Sequence, residues 1–178
     1  GGLLKDNRHW AHTDIHKTLV DLLAIQKQTH PGMFAVMDGT ICGDGAGPRA
    51  MIPVVKNYML ASDDMVAIDA ISAWLMGFDP LADVECIRVA HERGLGVGDV
   101  REIQVVGEDI SEVNFHFKVQ YHFASRVGRL LWFTPLARIQ SLFFKTPLVH
   151  AFIWGSAFYH DRYWWPVHGT RRMNDFFV

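Results

Sequence analysis

The hydrophobic positions of this chain change their period several times, and each change marks an element. In HTDIHKTLVDLLAIQKQ, Ile15, Leu19, Leu22 and Leu23 recur at helical spacing behind Thr13 or Asp14 as a cap, and His30-Pro31-Gly32 ends the run. The next apolar stretch, MFAVMD, is short and almost unbroken, the pattern of a strand buried on both faces. A glycine-rich loop, DGTICGDGAGPR at 38–49, follows it, and VKNYMLAS then reads as a second strand. Asp63-Asp64 introduce the helix DMVAIDAISAWLMG, which Gly77 and the Asp79-Pro80 turn close. ADVECIRVAHERGLG reads as one further helix ending in glycines, and REIQVVG as a third strand.

Strands at 33–38, 55–61 and 102–106 alternating with helices predict an α/β fold. The expectation is a layered sheet of at least three strands, mixed or mostly parallel, with flanking helices. In such sheets ligands sit beyond the carboxyl ends of the strands. Asp38 and the glycine loop fall at one such end, and Ser62, Asp63 and Asp64 at another.

From about residue 112 the pattern changes. FTPLARIQSLFF and KTPLVHAFIWGSAFYH share a Thr-Pro-Leu start, with Thr as cap and Pro at the first helical position. Both predicted helices are apolar nearly all round, and both are shorter than the ~20 residues that span a bilayer. They pack on the body, or lie on a membrane surface or a partner. The division expected is therefore an α/β domain at 1–111 and a basic, aromatic helical appendage at 112–178.

Charge sharpens that division. Residues 1–111 hold 9 Lys+Arg against 16 Asp+Glu, a net of −7, whereas residues 112–178 hold 8 against 3, a net of +5. The basic segment also carries most of the aromatic residues, and Arg126, Arg129, Arg138, Lys145, Arg162, Arg171 and Arg172 suit anionic headgroups. The two cysteines, Cys42 and Cys86, form no CxxC pair, so this chain alone supplies no iron–sulfur cluster or structural zinc. Reduced thiols and a cytoplasmic, membrane-associated or free, location are expected, since GGLLKDNRHW has no apolar core of a signal peptide.

Four groups carry candidate chemistry. In the glycine loop, backbone N–H groups and the Arg49 guanidinium could hold an anion, although neither phosphate-binding fingerprint is present. Among the acids, Asp38 and Asp69 are the candidate ligands of a divalent metal, Asp69 because it interrupts the apolar run MVAIDAIS. Asp44 and Asp64 read first as loop and capping residues. His12 and His16 are spaced i, i+4 next to His9, and His16 is the candidate acid or base. Tyr159, His160 and Asp161 lie among tail aromatics able to stack a ring, but an acidic body makes nucleic acid an unexpected partner.

Taken together, IHKTLVDLLA, FAVMDGTICGDGAGPR, LASDDMVAIDAISAWLMGFDP, VECIRVAHERGLG and IQVVGED resemble the domain-of-unknown-function family numbered 362 over residues 15–109. The resemblance implies that Asp38, Gly39, Gly45, Gly47, Pro48, Ser62, Asp64 and Asp69 are the family's characteristic positions. It supplies no activity. Some members carry ferredoxin-like cysteine motifs, which implies redox company, and this chain has none. The family's N-terminal half, with Lys-Thr-His and Lys-Asn motifs, is not found here, so a missing N-terminal segment or a partner chain is expected to complete the domain.

Two functions follow as expectations. One is an enzyme-like site between 38–49 and 62–69 for an anionic or metal-chelating small molecule, lined by Asp38, Gly39, Gly45, Gly47, Arg49, Ser62 and Asp64. The other is a non-catalytic interaction module whose tail at 126–172 docks on a membrane surface or on a partner subunit of a redox system.

Overall fold

The structure, a computed structural model, describes residues 11, 14–47, 50–120, 126, 135, 139, 142, 146–171 and 174. The chain divides into two compact units. One comprises Asp14–Ile41 and Val55–Phe117; the other comprises Gly1–Thr13, Cys42–Val54 and Lys118–Val178.

The first unit is built around α2 (Met65–Met76). This helix starts where the sequence predicts, at Asp64, whose Oδ1 accepts from the backbone N–H of Val66 (2.8 Å) and Ala67 (3.1 Å). It ends at Gly77, which takes the left-handed conformation (φ 96°) of a helix C-cap. Its apolar residues face both ways because both sides are covered. Val66, Ala70 and Ala73 pack with Val20 of α1 (Ile15–Thr29) and with Ile87 and Ala90 of α4 (Glu85–Glu92). Ile71 and Leu75 pack with Ile110, over Tyr58 and Leu60. Alanines at 70, 73 and 90 remove bulk from the helix contacts, which lets the axes approach closely. A surface ion pair between Arg93 and Asp21 (2.7 Å), and a hydrogen bond from Lys27 Nζ to the Leu95 carbonyl, tie α1 to the segment after α4.

The predicted helix at 82–96 is two helices. Asp79 caps α3 (Pro80–Asp83), accepting from Leu81 and Ala82 N–H at 2.9 Å, and Val84 is extended (φ −119°) before α4 begins. Local capping by Asp79, with Pro80 in the first turn, starts a helix earlier than the apolar pattern suggests.

The sheet departs most from expectation. β1 (Ala35–Ala46) and β2 (Ala50–Ser62) form a two-stranded sheet, and their three-residue connection makes it an antiparallel hairpin. The glycine-rich stretch that reads as a loop is mostly the second half of β1, with Asp38 inside the strand and not at its carboxyl end. Glycine serves there for close approach: a Cβ at Gly43 would lie 2.6 Å from the Met51 sulfur. Pro53 sits within β2, which is tolerable because each strand of a two-stranded sheet has an open edge. The run MFAV is not buried on both faces; Phe34 and Val36 are 66% and 61% exposed. Residues 103–106 form no strand, since after the short 3₁₀ turn Val100–Glu102 no strand among the described residues offers them a ladder. Among the described residues helices and strands are mixed as expected, but the sheet is one antiparallel hairpin packed on a helical layer, and the layered sheet of at least three strands, mixed or mostly parallel, is not seen.

In the second unit, the hairpin tip meets residues 118–120. Gly45 (φ 90°) forms an isolated parallel bridge with Val119, and Lys118 N–H donates to Asp44 Oδ1 at 2.7 Å. α5 (Leu148–Tyr159) starts one residue after Pro147 and continues as wide π-turns over His160–Gly169, where Pro166 would interrupt an α-helix. The first predicted tail helix, 133–144, lies outside the described residues, apart from the single positions 135, 139 and 142. No described helix is long and apolar enough to cross a membrane.

Candidate functional site

Ser62 and Asp64 are held by the fold itself. The Ser62 hydroxyl accepts from Asp64 N–H at 2.9 Å. Besides the two bonds to Oδ1 that cap α2, Asp64 Oδ2 accepts from Val97 N–H at 2.8 Å. One carboxylate therefore gathers three backbone donors from two segments. Gly96 completes the arrangement: a Cβ there would stand 2.2 Å from Asp64 Oδ1 and 2.7 Å from Val66 Cβ. The Ala-Ser-x-Asp segment and the Gly-Leu-Gly helix end, two separate signals in the sequence, are the two halves of one lock.

Asp38 and Asp69 are not brought together. The Asp38 carboxylate accepts from Thr40 N–H at 2.8 Å, and hydrogen bonding from Thr40 holds it below the usual carboxylate range. Its neighbour Met37 points toward α2, where its sulfur accepts from the Ser72 hydroxyl at 2.9 Å. Side chains alternate along a strand, so Asp38 faces away from α2 and the buried Gly39 faces toward it. Asp69 stands on α2, where burial of its carboxyl pushes it up; the Cys86 thiol is also pushed up, first by burial and then by the Asp69 charge. Cys42 and Cys86 are both thiols.

His16 is exposed on α1. Gly45 and Gly47 belong to the hairpin tip. His9, His12, Thr13, Pro48 and Arg49, and in the tail Arg129, Arg138, Lys145 and Arg172, lie outside the described residues. Among the described residues no three His, Cys, Asp or Glu side chains converge as metal ligands would.

Sequence reasoning missed a cleft elsewhere in the first unit. It has a volume of about 1040 Å³ and lies between the end of α2, the start of α3 and the segments 98–101 and 105–111. Reading 102–106 as a strand hid it; the legible signals were Asp79-Pro80 and the Asp-x-Arg spacing of Asp99 and Arg101. Asp99 caps the 3₁₀ turn through Arg101 N–H (3.0 Å) and also receives Arg101 Nε at 2.9 Å. These Arg101 bonds bring the Asp99 carboxyl down to about 2. Because the folded value is depressed, the pair contributes above the ordinary value of 3.8 and is lost as pH falls from there through about 2. The Asp99 side-chain carboxyl resonance is accordingly expected to titrate near pH 2, and to move up toward the ordinary carboxylate range in Arg101→Gln. An unchanged midpoint in the variant would remove Arg101 as the cause.

The second unit presents aromatic residues on its helix. Trp154 and Phe158 stack with ring centroids 5.5 Å apart, and Tyr159 and Tyr163 repeat that spacing five residues on. Trp154 is 70% and Phe158 55% exposed; of the described residues in 146–171, only Val149 and Gly169 are buried. His160 Nδ1 lies 2.7 Å from Asp161 and its ring stacks on Trp164 at 5.4 Å.

No curated protein and no solved structure matches the chain. The segments at 84–109 that resemble the family from sequence lie beyond the region that a family model matches. Residues 1–74, which include α1, the hairpin and most of α2, match the model described as Domain of unknown function (DUF362).

Proposed function

We propose that this chain is a docking module whose helical tail lies on an anionic membrane surface at the cytoplasmic side. The observation that carries this reading is the exposure of Trp154, Phe158, Tyr163 and Trp165 along one continuous helical segment. Aromatic rings have an apolar body and, in Trp and Tyr, a polar edge, which suits the headgroup boundary. Arg162 and Arg171 are exposed on the same segment, and residues 112–178 carry a net charge of +5. Each such cation near an anionic surface contributes roughly 1 kcal/mol, falling off with salt. No described helix is both long and apolar enough to cross a membrane, and the charged Asp161 and Arg162 within this one suit a position in the interface.

The enzyme-like reading has less support. It needs Asp38 and Asp69 to share a ligand, and strand alternation turns Asp38 away from the helix that bears Asp69. Ser62 and Asp64 already serve backbone donors.

Co-sedimentation of the full chain with phosphatidylcholine vesicles, with and without phosphatidylglycerol, tests the proposal. The chain is expected to sediment with the anionic vesicles and to be released by salt. Trp154→Ala with Phe158→Ala should reduce partitioning by roughly tenfold or more, from lost apolar burial. Arg162→Glu with Arg171→Glu should do the same through charge. A chain that stays in the supernatant with both vesicles overturns the membrane reading and leaves a partner subunit as the occupant of this surface.

A further inference from the structure

The cleft in the first unit has apolar walls and an acidic rim. Trp74, Leu81, Val105 and Ile110 line it, and Trp74 and Val105 keep open surface toward solvent. Four carboxylates, Asp79, Asp99, Glu108 and Asp109, and one guanidinium, Arg101, stand around it. Asp99 and Arg101 neutralise one another through their fork of hydrogen bonds, and the Arg101 side chain is 88% exposed, turned to solvent. A surplus of three negative charges remains.

Two of those three carboxylates, Asp79 and Asp109, are fixed in direction with capacity to spare. Asp79 uses Oδ1 to cap α3, and Asp109 uses Oδ1 to accept from Ser111 N–H at 2.9 Å. Neither Oδ2 takes part in those bonds. Glu108 accepts from the Tyr58 hydroxyl, at 3.4 Å. An anion would face three like charges here, and a bare metal ion would find no converging ligand set among the described residues. A cation with an apolar body meets neither obstacle: its charge would sit among the carboxylates, its hydrocarbon against Leu81, Val105 and Ile110, and the aromatic ring of Trp74 lines the same cleft.

We infer that this cleft binds an organic cation, a small alkyl- or aryl-ammonium compound. The volume of about 1040 Å³ is at the upper end for small-molecule sites, which admits an aromatic amine with a side chain.

The test is calorimetric titration of the full chain with three probes of similar shape: benzyltrimethylammonium, 3-phenylpropanol and 3-phenylpropionate. Saturable binding of the ammonium probe in the millimolar range or below is expected, with the alcohol weaker and the carboxylate weakest. Glu108→Gln combined with Asp109→Asn keeps the acceptor atoms and removes two charges; it should weaken the ammonium probe roughly tenfold at low salt and leave the alcohol unchanged. Trp74→Leu should weaken the ammonium probe while far-ultraviolet dichroism stays as in the parent. Equal binding of all three probes, no saturable binding of the ammonium probe, or a charge-depleted variant that binds it as the parent does each overturns the inference.

Discussion

Gly96→Ala is expected to lower the stability of the first unit by about 3 kcal/mol, a large effect for the addition of one methyl group. Gly96 needs no positive φ; the demand is space. The new carbon would lie 2.2 Å from Asp64 Oδ1, a terminal atom held by its hydrogen bonds, and 2.7 Å from Val66 Cβ and Cγ2, of which Cβ is fixed to the backbone. Asp64 can yield only by turning its carboxylate off the N–H groups of Val66, Ala67 and Val97. Losing an N-cap costs about 0.5–2 kcal/mol, and a hydrogen bond to a charged group contributes about 1.5–3 kcal/mol. If the backbone at 96 retreats instead, the bond from Val97 N–H is the one that stretches. Urea unfolding should show a lower midpoint with an unchanged slope. The cycle with Asp64→Ala should fall short of additivity, because the second change removes both the obstacle and the bonds it holds. A Gly96→Ala protein within about 0.5 kcal/mol of the parent would show that this contact is not as close as described.

Leu75→Ala is expected to cost a further amount of the same order, about 3 kcal/mol within a range of 2–5. Leu75 is 1% exposed, the largest fully buried side chain among the described residues, and it sits where α2 meets Ile110 and the inner face of β2. Its neighbours come from separate elements held by their own hydrogen bonds, Phe115 N–H to the Leu75 carbonyl among them (2.8 Å), so they cannot all move in to fill the gap. Leu75→Met, which keeps the volume, should cost less than about 1.5 kcal/mol. Trp74→Leu, one position away and partly exposed, should also cost less than Leu75→Ala although Trp is the larger residue. That order is opposite to the order of side-chain size, so it separates burial from bulk. Gly96 and Leu75 belong to different sides of α2, and their effects are expected to add.

The helices of the first unit were legible because their signals are local. Asp64 caps α2 through N–H groups two and three residues ahead, and Gly77 closes it with its own backbone. Such a signal reads the same whatever the rest of the chain does. At α3 the local signal was also present, in Asp79-Pro80, but a continuous apolar pattern through Val84 concealed the break. The strands were legible as extended segments and illegible as a sheet. DGTICGDGA looks like a loop by composition, and it is held extended only because β2 lies beside it. IQVV looks like a strand, and it remains irregular because no strand among the described residues pairs with it.

The candidate site divides in the same way. That Asp64 is a cap could be read from its position before α2; that Val97 N–H returns to its other oxygen could not, because thirty-odd residues of chain intervene. Asp38 and Asp69 are both visible as acids in apolar surroundings. Whether they meet depends on which face of β1 α2 covers, and a strand with alternating sides presents either face to a partner until one is packed.

By itself the sequence determined where α1 and α2 begin and end, that an acidic body is followed by a basic aromatic tail, and that residues from the glycine-rich stretch to Asp69 form a recognisable pattern. Tertiary structure alone decided that the pattern is a hairpin and a lock between Asp64 and Gly96, that Asp38 turns away from Asp69, and that a cleft opens beside Trp74. The physical reason is range. Caps, turns and charge are settled within one or two turns of chain, whereas strand pairing, the covered face of a strand and the walls of a cavity are settled by segments that meet only after the chain has folded.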